Sequence, residues 1–395
     1  MALPLEGIKV LDVAQIWAMP GAARYLADQG ADVIKVETLQ GDEVRRLLTK
    51  PAINNESRAH WMLNRNKRGI ALDLKSDRGR EILLRLAREA DVLIHNLRLG
   101  ADKRMGIDYE AVRKINPRII YVGFTAYGDR GPLAQARGYD MLIQAAAGVL
   151  GLRKEQDGTP IASGVWFTDL SASMLVAYAV TLALLQRART GEGQRISGSL
   201  LQTALALQVV DMIRLRGHKD VIAGVDPALQ AVLRPYPCAD GKFVQCVVIS
   251  DKEWHLFCEA LGIGPIADDP RFSTVDARLA NNAALHALIA GAFKQKTAAE
   301  WGRIALEQDI PIMPIMGQNE VFDSEQPNAN DMFVRIEQPG VGTAEMVKLP
   351  FQLSGAGGYA FRPAPSLGQH TDEVLAELGL TREEIAALRA QGVVG

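Results

Sequence analysis

Only three cysteines occur in 395 residues: Cys238, Cys246 and Cys258. A sparse, odd set with no metal-ligand spacing excludes a disulfide framework and a zinc cluster. It points to a reduced, cytoplasmic chain with no resident metal. Charge of one sign is also missing. Lys and Arg total 44 against 46 Asp and Glu, a net charge of −2, so no whole-chain field favours nucleic acid. The opening Met1-Ala-Leu-Pro-Leu-Glu-Gly7 lacks the basic and apolar regions of a secretory leader. The most apolar stretch, around Leu175 to Leu185, is interrupted by small and polar residues. It reads as a buried helix too short for a membrane span, and no membrane partner is expected.

What remains is an ordinary globular balance, 48% hydrophobic and 23% charged, long enough for sizeable cores. The first half alternates strand-like and helix-like segments. Ile8 to Val13 reads as a buried strand, Pro20 to Leu26 as a helix, and Ala31 to Glu37 as a second strand. A helix from Arg78 to Glu89, a strand from Asp91 to His95, a helix from Tyr109 to Lys114 and a strand from Arg118 to Phe124 continue the pattern. Such alternation predicts an α/β fold with a parallel sheet. A long apolar helix is expected from Asp169 to Arg187. Beyond Arg216, Tyr236 to Ile249 reads as a hairpin turning at Asp240-Gly241. Helices near Lys252–Leu261 and Ala298–Glu307 complete a smaller α+β domain over 225–325. The C-terminal part, with a helix near Thr371 to Leu378, returns to the first domain, giving a large domain of 1–215 and 330–395.

Several segments carry candidate chemistry. The first turn, Val13 to Gly21, lacks the G-x-G-x-x-G that admits a pyrophosphate, which argues against a dinucleotide cofactor. Glu37 then reads as a solvent-exposed strand end. Leu63 to Lys75 holds four basic residues, Arg65, Lys67, Arg68 and Lys75, suited to phosphate; on composition alone it reads as a solvated loop. Arg98, Lys103 and Arg104 add positive charge after the strand ending at His95, a histidine best read as structural. Gly123 to Pro132 and Arg137-Gly-Tyr-Asp140 form glycine-bearing loops. Asp169 precedes the long helix, where a carboxylate alone reads as a cap.

Together these segments resemble the class III CoA-transferases, the family of formyl-CoA, carnitine and bile-acid CoA-transferases. The resemblance rests on Gly30-Ala-Asp-Val-Ile-Lys-Val-Glu37, Asn66-Lys-Arg68 with Asp73-Leu-Lys75, and Arg104-Met-Gly-Ile107. Further matches are Asn116 to Tyr121, Gly131-Pro132, Gly138-Tyr-Asp140, Arg189 to Gln194 and Leu367 to Thr371. It implies a Rossmann-like large domain built from both chain ends, a small domain, and a homodimer of interlocked rings. It also implies that Asp169 is the catalytic carboxylate. Gln15, Trp17, Ala18, Leu72, Lys75, Asn96, Arg104, Met105, Arg137 and Tyr139 would line coenzyme A, with Lys75, Arg104 and Arg137 facing its phosphates. CoA thioesters would be substrates, and no cofactor would be permanently bound.

The implied chemistry is acyl transfer through an aspartyl anhydride and an aspartyl-CoA thioester, because a carboxylate can accept an acyl group without losing its activation. An α-methylacyl-CoA racemase shares the fold but needs a second acid–base group, a histidine where this chain has Tyr139. Tyrosine, with an ordinary pKa of ~10, is a poor base near neutrality. A non-catalytic CoA-binding protein is a third reading, opposed by the intact Asp169. Trp17 replaces the glutamine of formyl-CoA transferases, and no glycine run stands between Gly224 and Gly241, which argues against formate and oxalate. A dicarboxylic acid such as succinate is expected as donor or acceptor; aromatic, branched and hydroxy acids are alternatives.

Overall fold

The computed structural model describes residues 2–47, 53, 56–152, 154, 155, 157–214, 216, 217, 230–358 and 360–395. Met1–Val209 with Ala329–Gly395 form one compact unit, and Val210–Asn328 form a second. The expected domain edges at 215 and 225, and the segment 224–229, lie outside the described residues.

The first unit is built on six parallel strands: β1 (Lys9–Asp12), β2 (Asp32–Glu37), β3 (Arg68–Ala71), β4 (Val92–His95), β5 (Ile120–Thr125) and β6 (Gln194–Ser199). Their spatial order is β3-β2-β1-β4-β5-β6, the doubly wound order whose direction reverses between β1 and β4. Helices α1 (Ala18–Asp28), α2 (Arg58–Asn64), α3 (Asp77–Glu89), α4 (Ala101–Met105), α5 (Tyr109–Ile115), α6 (Asp140–Ala146), α7 (Phe167–Thr190) and α8 (Leu200–Leu207) connect or cover them. Successive strand residues face opposite sides. Val10, Val33, Val92, Ile94, Ile120 and Val122 pack with α1, α7 and α8. Leu11, Ile34, Ile70, Leu93 and Tyr121 pack with α3 and the helices Thr371–Glu377 and Arg382–Ala390. The chain's C-terminal end therefore belongs to this unit because Val374, Leu375, Ile385 and Leu388 complete its second core.

Local signals agree with these boundaries. Ser76 caps α3 by accepting from Gly79 N–H, and Gly191, at φ 78°, ends α7. The helix α7 spans 24 residues, more than the apolar run predicts, and by length and composition alone is long enough to cross a membrane. Its Ala172, Val176, Val180 and Ala183 face lies in the first core.

Four charged residues depart from the sequence reading. Glu37 is not exposed: it is 3% accessible and bidentate to Arg45, at 2.7 and 2.8 Å. Burial raises its pKa, but Arg45 outweighs this and holds it at about 2. Arg65, Lys67 and Arg68 form neither a solvated loop nor a phosphate site. All three are buried, paired with Asp28, Asp12 and Asp32. A buried charge is tolerated when a partner and hydrogen bonds replace its water.

The second unit holds an antiparallel sheet of Pro235–Pro237, Phe243–Cys246 and Ile312–Pro314. Helices Asp251–Ala260, Asn282–Phe293 and Ala298–Gln308 supply Trp254, Phe257, Phe293 and Trp301 to its core. Two of these helices begin with capping boxes, Ser250/Glu253 and Thr297/Glu300.

Candidate active site

A cavity of about 300 Å³ opens outside the carboxyl ends of β1, β4 and β5. This is the switch point, where diverging loops leave a crevice in open α/β sheets. The loop after β1 contributes Gln15, Ile16 and Trp17, and the first turn of α1 adds Ala18 and Met19. The loop after β4 contributes Asn96 to Leu99, the end of β5 contributes Phe124 and Thr125, and the segment after it contributes Ala126 and Ala134 to Tyr139. Glu43, Leu200 and Asp169 complete the wall.

Asp169 is not the helix cap that its position suggests. Trp166 occupies that place, without a side-chain bond, and Asp169 lies inside the first turn of α7. Its residue is 9% accessible, and among the described residues nothing donates a hydrogen bond to its carboxylate. Its N–H donates to Asp140 Oδ2 at 2.9 Å. Asp140 is itself buried, and its other oxygen accepts from Gln144 Nε2. Burial, then the neighbouring Asp140 charge, pushes the Asp169 carboxyl up to about 7. Removing a carboxylate from water without donors destabilises its charged form and sharpens its basicity.

Of the sequence-predicted residues, the cavity brings Gln15, Trp17, Ala18, Asn96, Arg137 and Tyr139 together with Asp169. Asn96 fixes the first loop, accepting from Gln15 N at 2.9 Å and donating to Gln15 O at 2.7 Å. The Trp17 ring packs against Trp166, centroids 5.0 Å apart. Arg98 and Arg137 place two cations in the wall. Tyr139 is 56% accessible. Lys75 and Arg104 are exposed and lie outside the cavity, and Met105 packs against the second core. The Leu72 side chain is sealed within that core, and its N–H donates to Glu37 O. His95 is buried edge-on against Tyr121, accepts from Leu97 N at 3.3 Å, and is pushed down to about 4 by burial.

The structure adds Asp140, Gln144, Trp166, Ile16 and Glu43 to the sequence reading. Asp140 was visible in its motif, but its approach to Asp169 spans 29 residues and only the fold makes it. Among the described residues no three His, Cys, Asp or Glu side chains gather as a metal site.

The model of CoA-transferase family III matches residues 5–371. A succinate–glutarate CoA-transferase of Agrobacterium fabrum is 34% identical, covering 95% of this chain and 96% of its own length. A (R)-2-hydroxy-4-methylpentanoate CoA-transferase of Clostridioides difficile is 31% identical over 99% of both chains. The crystal structure of a CaiB/BaiF family protein from Brucella suis superposes with a TM-score of 0.84 at 33% identity, covering 96% of this chain and all of that one. By its cavity, its buried carboxylate and these full-length matches, the chain belongs to CoA-transferase family III.

Proposed function

We propose that this enzyme moves CoA from an acyl-CoA donor to a free carboxylic acid through covalent intermediates on Asp169. The observation that carries the reading is a donor-free, buried carboxylate in the wall of the switch-point cavity. An Asp169 oxygen attacks the thioester carbonyl; the C–S bond breaks and CoA leaves as thiolate, giving a mixed anhydride. The thiolate attacks the aspartyl carbonyl, the anhydride C–O bond breaks, and the donor acid departs as carboxylate. The aspartyl-CoA thioester then meets the acceptor carboxylate, and the same steps run in reverse. No net proton is consumed.

Each feature of the site serves that sequence. Desolvation makes Asp169 a stronger nucleophile than an exposed carboxylate. The first N–H groups of α1 have no intrahelical acceptor and lie where Trp17, Ala18 and Met19 line the wall; they are suited to a developing oxyanion. The Trp17–Trp166 pair limits water, which would hydrolyse both intermediates. The matched relatives' names support an organic acid, including a dicarboxylate, as acceptor. Lys75 and Arg104 lie outside the cavity and are assigned to the distal nucleotide. The three unpaired, buried cysteines fit a cytoplasmic setting.

The reading is tested by incubating the enzyme with an acyl-CoA, digesting it and locating a CoA adduct by mass. The adduct should sit on Asp169 and disappear with hydroxylamine; an adduct elsewhere, or none with any productive donor, defeats it. α-Proton exchange in deuterated water, if rapid, would favour a racemase instead. The pH profile gives a second check. The nucleophile must be ionised, so kcat/KM should rise with pH and level off above about 7. Asp140→Asn leaves burial, the larger cause of the raised pKa, and removes the neighbouring charge that adds to it, so its profile should shift partway to lower pH.

We also propose a homodimer. Leu170, Met174, Tyr178, Leu182 and Leu185 recur along α7 and are exposed, an apolar stripe of a kind that marks an interface. Sedimentation equilibrium should return twice the 42.9 kDa chain mass.

A further inference from the structure

Ile16 stands in the left-handed region at φ 71°. A β-branched residue there is a genuine outlier, sustained only where its surroundings over-determine it. It also lines the cavity, directly before Trp17 and Ala18. Both backbone polar groups of Ala14 and of Gln15, and the N–H of Ile16 itself, are held by side chains. Ala14 N donates to Asp12 Oδ1 at 3.1 Å, and Lys35 Nζ donates to Ala14 O. Asn96 binds both polar groups of Gln15. Ile16 N donates to both oxygens of Asp42, at 3.1 and 3.2 Å.

Asp42 has further partners. Its Oδ1 accepts from Val44 N at 3.0 Å, capping the short helix Glu43–Arg45, whose Glu43 is in the cavity wall. Its Oδ2 accepts from Lys35 Nζ at 2.9 Å, and its own N–H donates to Glu37 Oε2 at 2.8 Å. Lys35 is fully buried; burial pushes its pKa down, but Asp12, Asp42 and Glu37 outweigh this and keep it charged. One buried carboxylate thus ties two cavity walls to one cation.

We infer that Asp42 is a positioning residue of the transferase reaction: it locks Ile16 in its left-handed conformation and so sets Trp17 and Ala18 against Asp169. The inference rests on the covalent role proposed for Asp169. Asn at position 42 cannot serve these contacts, because its NH2 group must face either backbone N–H donors or the Lys35 ammonium. The loop then relaxes toward negative φ and the α1 N-terminus turns away from the reacting carbonyl. Displacements of about 1 Å at such sites cost on the order of 10²-fold in rate.

The test is a cycle of Asp42→Asn, Ile16→Gly and the double variant, read by kcat, KM for the acyl-CoA, and the rate of CoA adduct formation. Asp42→Asn should lose on the order of 10²-fold, mostly in kcat. Glycine adopts positive φ without a clamp, so Ile16→Gly added to Asp42→Asn should recover roughly tenfold or more of the lost kcat. A merely structural Asp42 gives additive losses and no recovery. If Asp42→Asn does not fold, Lys35→Met with Asp42→Asn removes both charges together and leaves Asp12 paired with Lys67 at 2.8 Å; the same recovery by Ile16→Gly is expected there. Recovery absent in the folded background, or Asp42→Asn within about threefold of wild-type kcat, overturns the inference. A wild-type enzyme with no adduct on Asp169 overturns the underlying mechanism instead.

Discussion

Asp169→Asn is expected to lose transferase activity by on the order of 10³-fold or more, while the folded protein becomes more stable near neutral pH. The first half follows from nucleophilicity: the amide keeps the side chain's shape but has no anionic oxygen to accept an acyl group. The second half follows from linkage. The Asp169 carboxyl is raised from 3.8 to about 7 in the folded chain, first by burial and then by Asp140. Between those values the folded state holds a proton that the unfolded state releases. Ionising Asp169 therefore costs stability, fully above about pH 7 and not at all below about pH 4. Asparagine never ionises, so the variant's Tm should exceed that of the wild type at about pH 8, and the gain should vanish near pH 4. Thermal melts at the two pH values, with activity and adduct mass on the same samples, decide it. Retained activity would remove Asp169 from the chemistry. Lost activity with no pH-dependent gain in Tm would show a carboxylate that is not desolvated as the cavity requires.

The parts of this site that were legible in the sequence are those written in local pattern. β1, β2, β4 and β5 are short runs of Val, Ile and Leu with turn residues beyond, and they appear where their composition puts them. The strand β6 is Gln-Arg-Ile-Ser-Gly-Ser, with one large apolar residue, and its sequence gives no strand signal. It is ordered by pairing with β5 along six residues, a tertiary effect that outweighs local preference. Charged residues show the same division more sharply. Glu37, Arg65, Lys67 and Arg68 look solvated because charge composition carries no information about burial. Each is buried because a partner 8 to 55 positions away along the chain meets it. Resemblance alone singles out Asp169; local rules make it a cap. The geometry supplies what neither could, a second buried carboxylate at its N–H and no donor on its oxygens.

Gly21→Ala is expected to separate α1 from α7, with losses in both stability and rate. Alanine is ordinarily favoured over glycine inside a helix by about 1 kcal/mol, so a glycine in the fourth position of α1 runs against local preference. The reason lies across the helix crossing. A Cβ at position 21 would lie 2.3 Å from Ser173 Oγ and 3.0 Å from Ser173 Cβ. Ser173 cannot simply turn aside, because its hydroxyl is held 2.7 Å from Ala18 O and 2.9 Å from Asp169 O. This one side chain therefore joins the first turn of α1 to the first turn of α7, the two segments that bear Ala18 and Asp169. Overpacking at such a contact costs roughly 1–3 kcal/mol, and the helix shift that relieves it moves Trp17 and Ala18 off Asp169, lowering kcat by on the order of 10²-fold. Adding Ser173→Ala removes the nearest clashing atom and leaves the 3.0 Å approach to Cβ. The double variant should therefore be more stable than Gly21→Ala alone, although Ser173→Ala by itself loses a buried hydrogen bond of about 1 kcal/mol. Chemical denaturation of the four proteins yields the coupling directly. Strictly additive losses, or a Gly21→Ala protein as stable and active as the wild type, would mean that the crossing at Gly21 does not set the distance between the α1 N-terminus and Asp169.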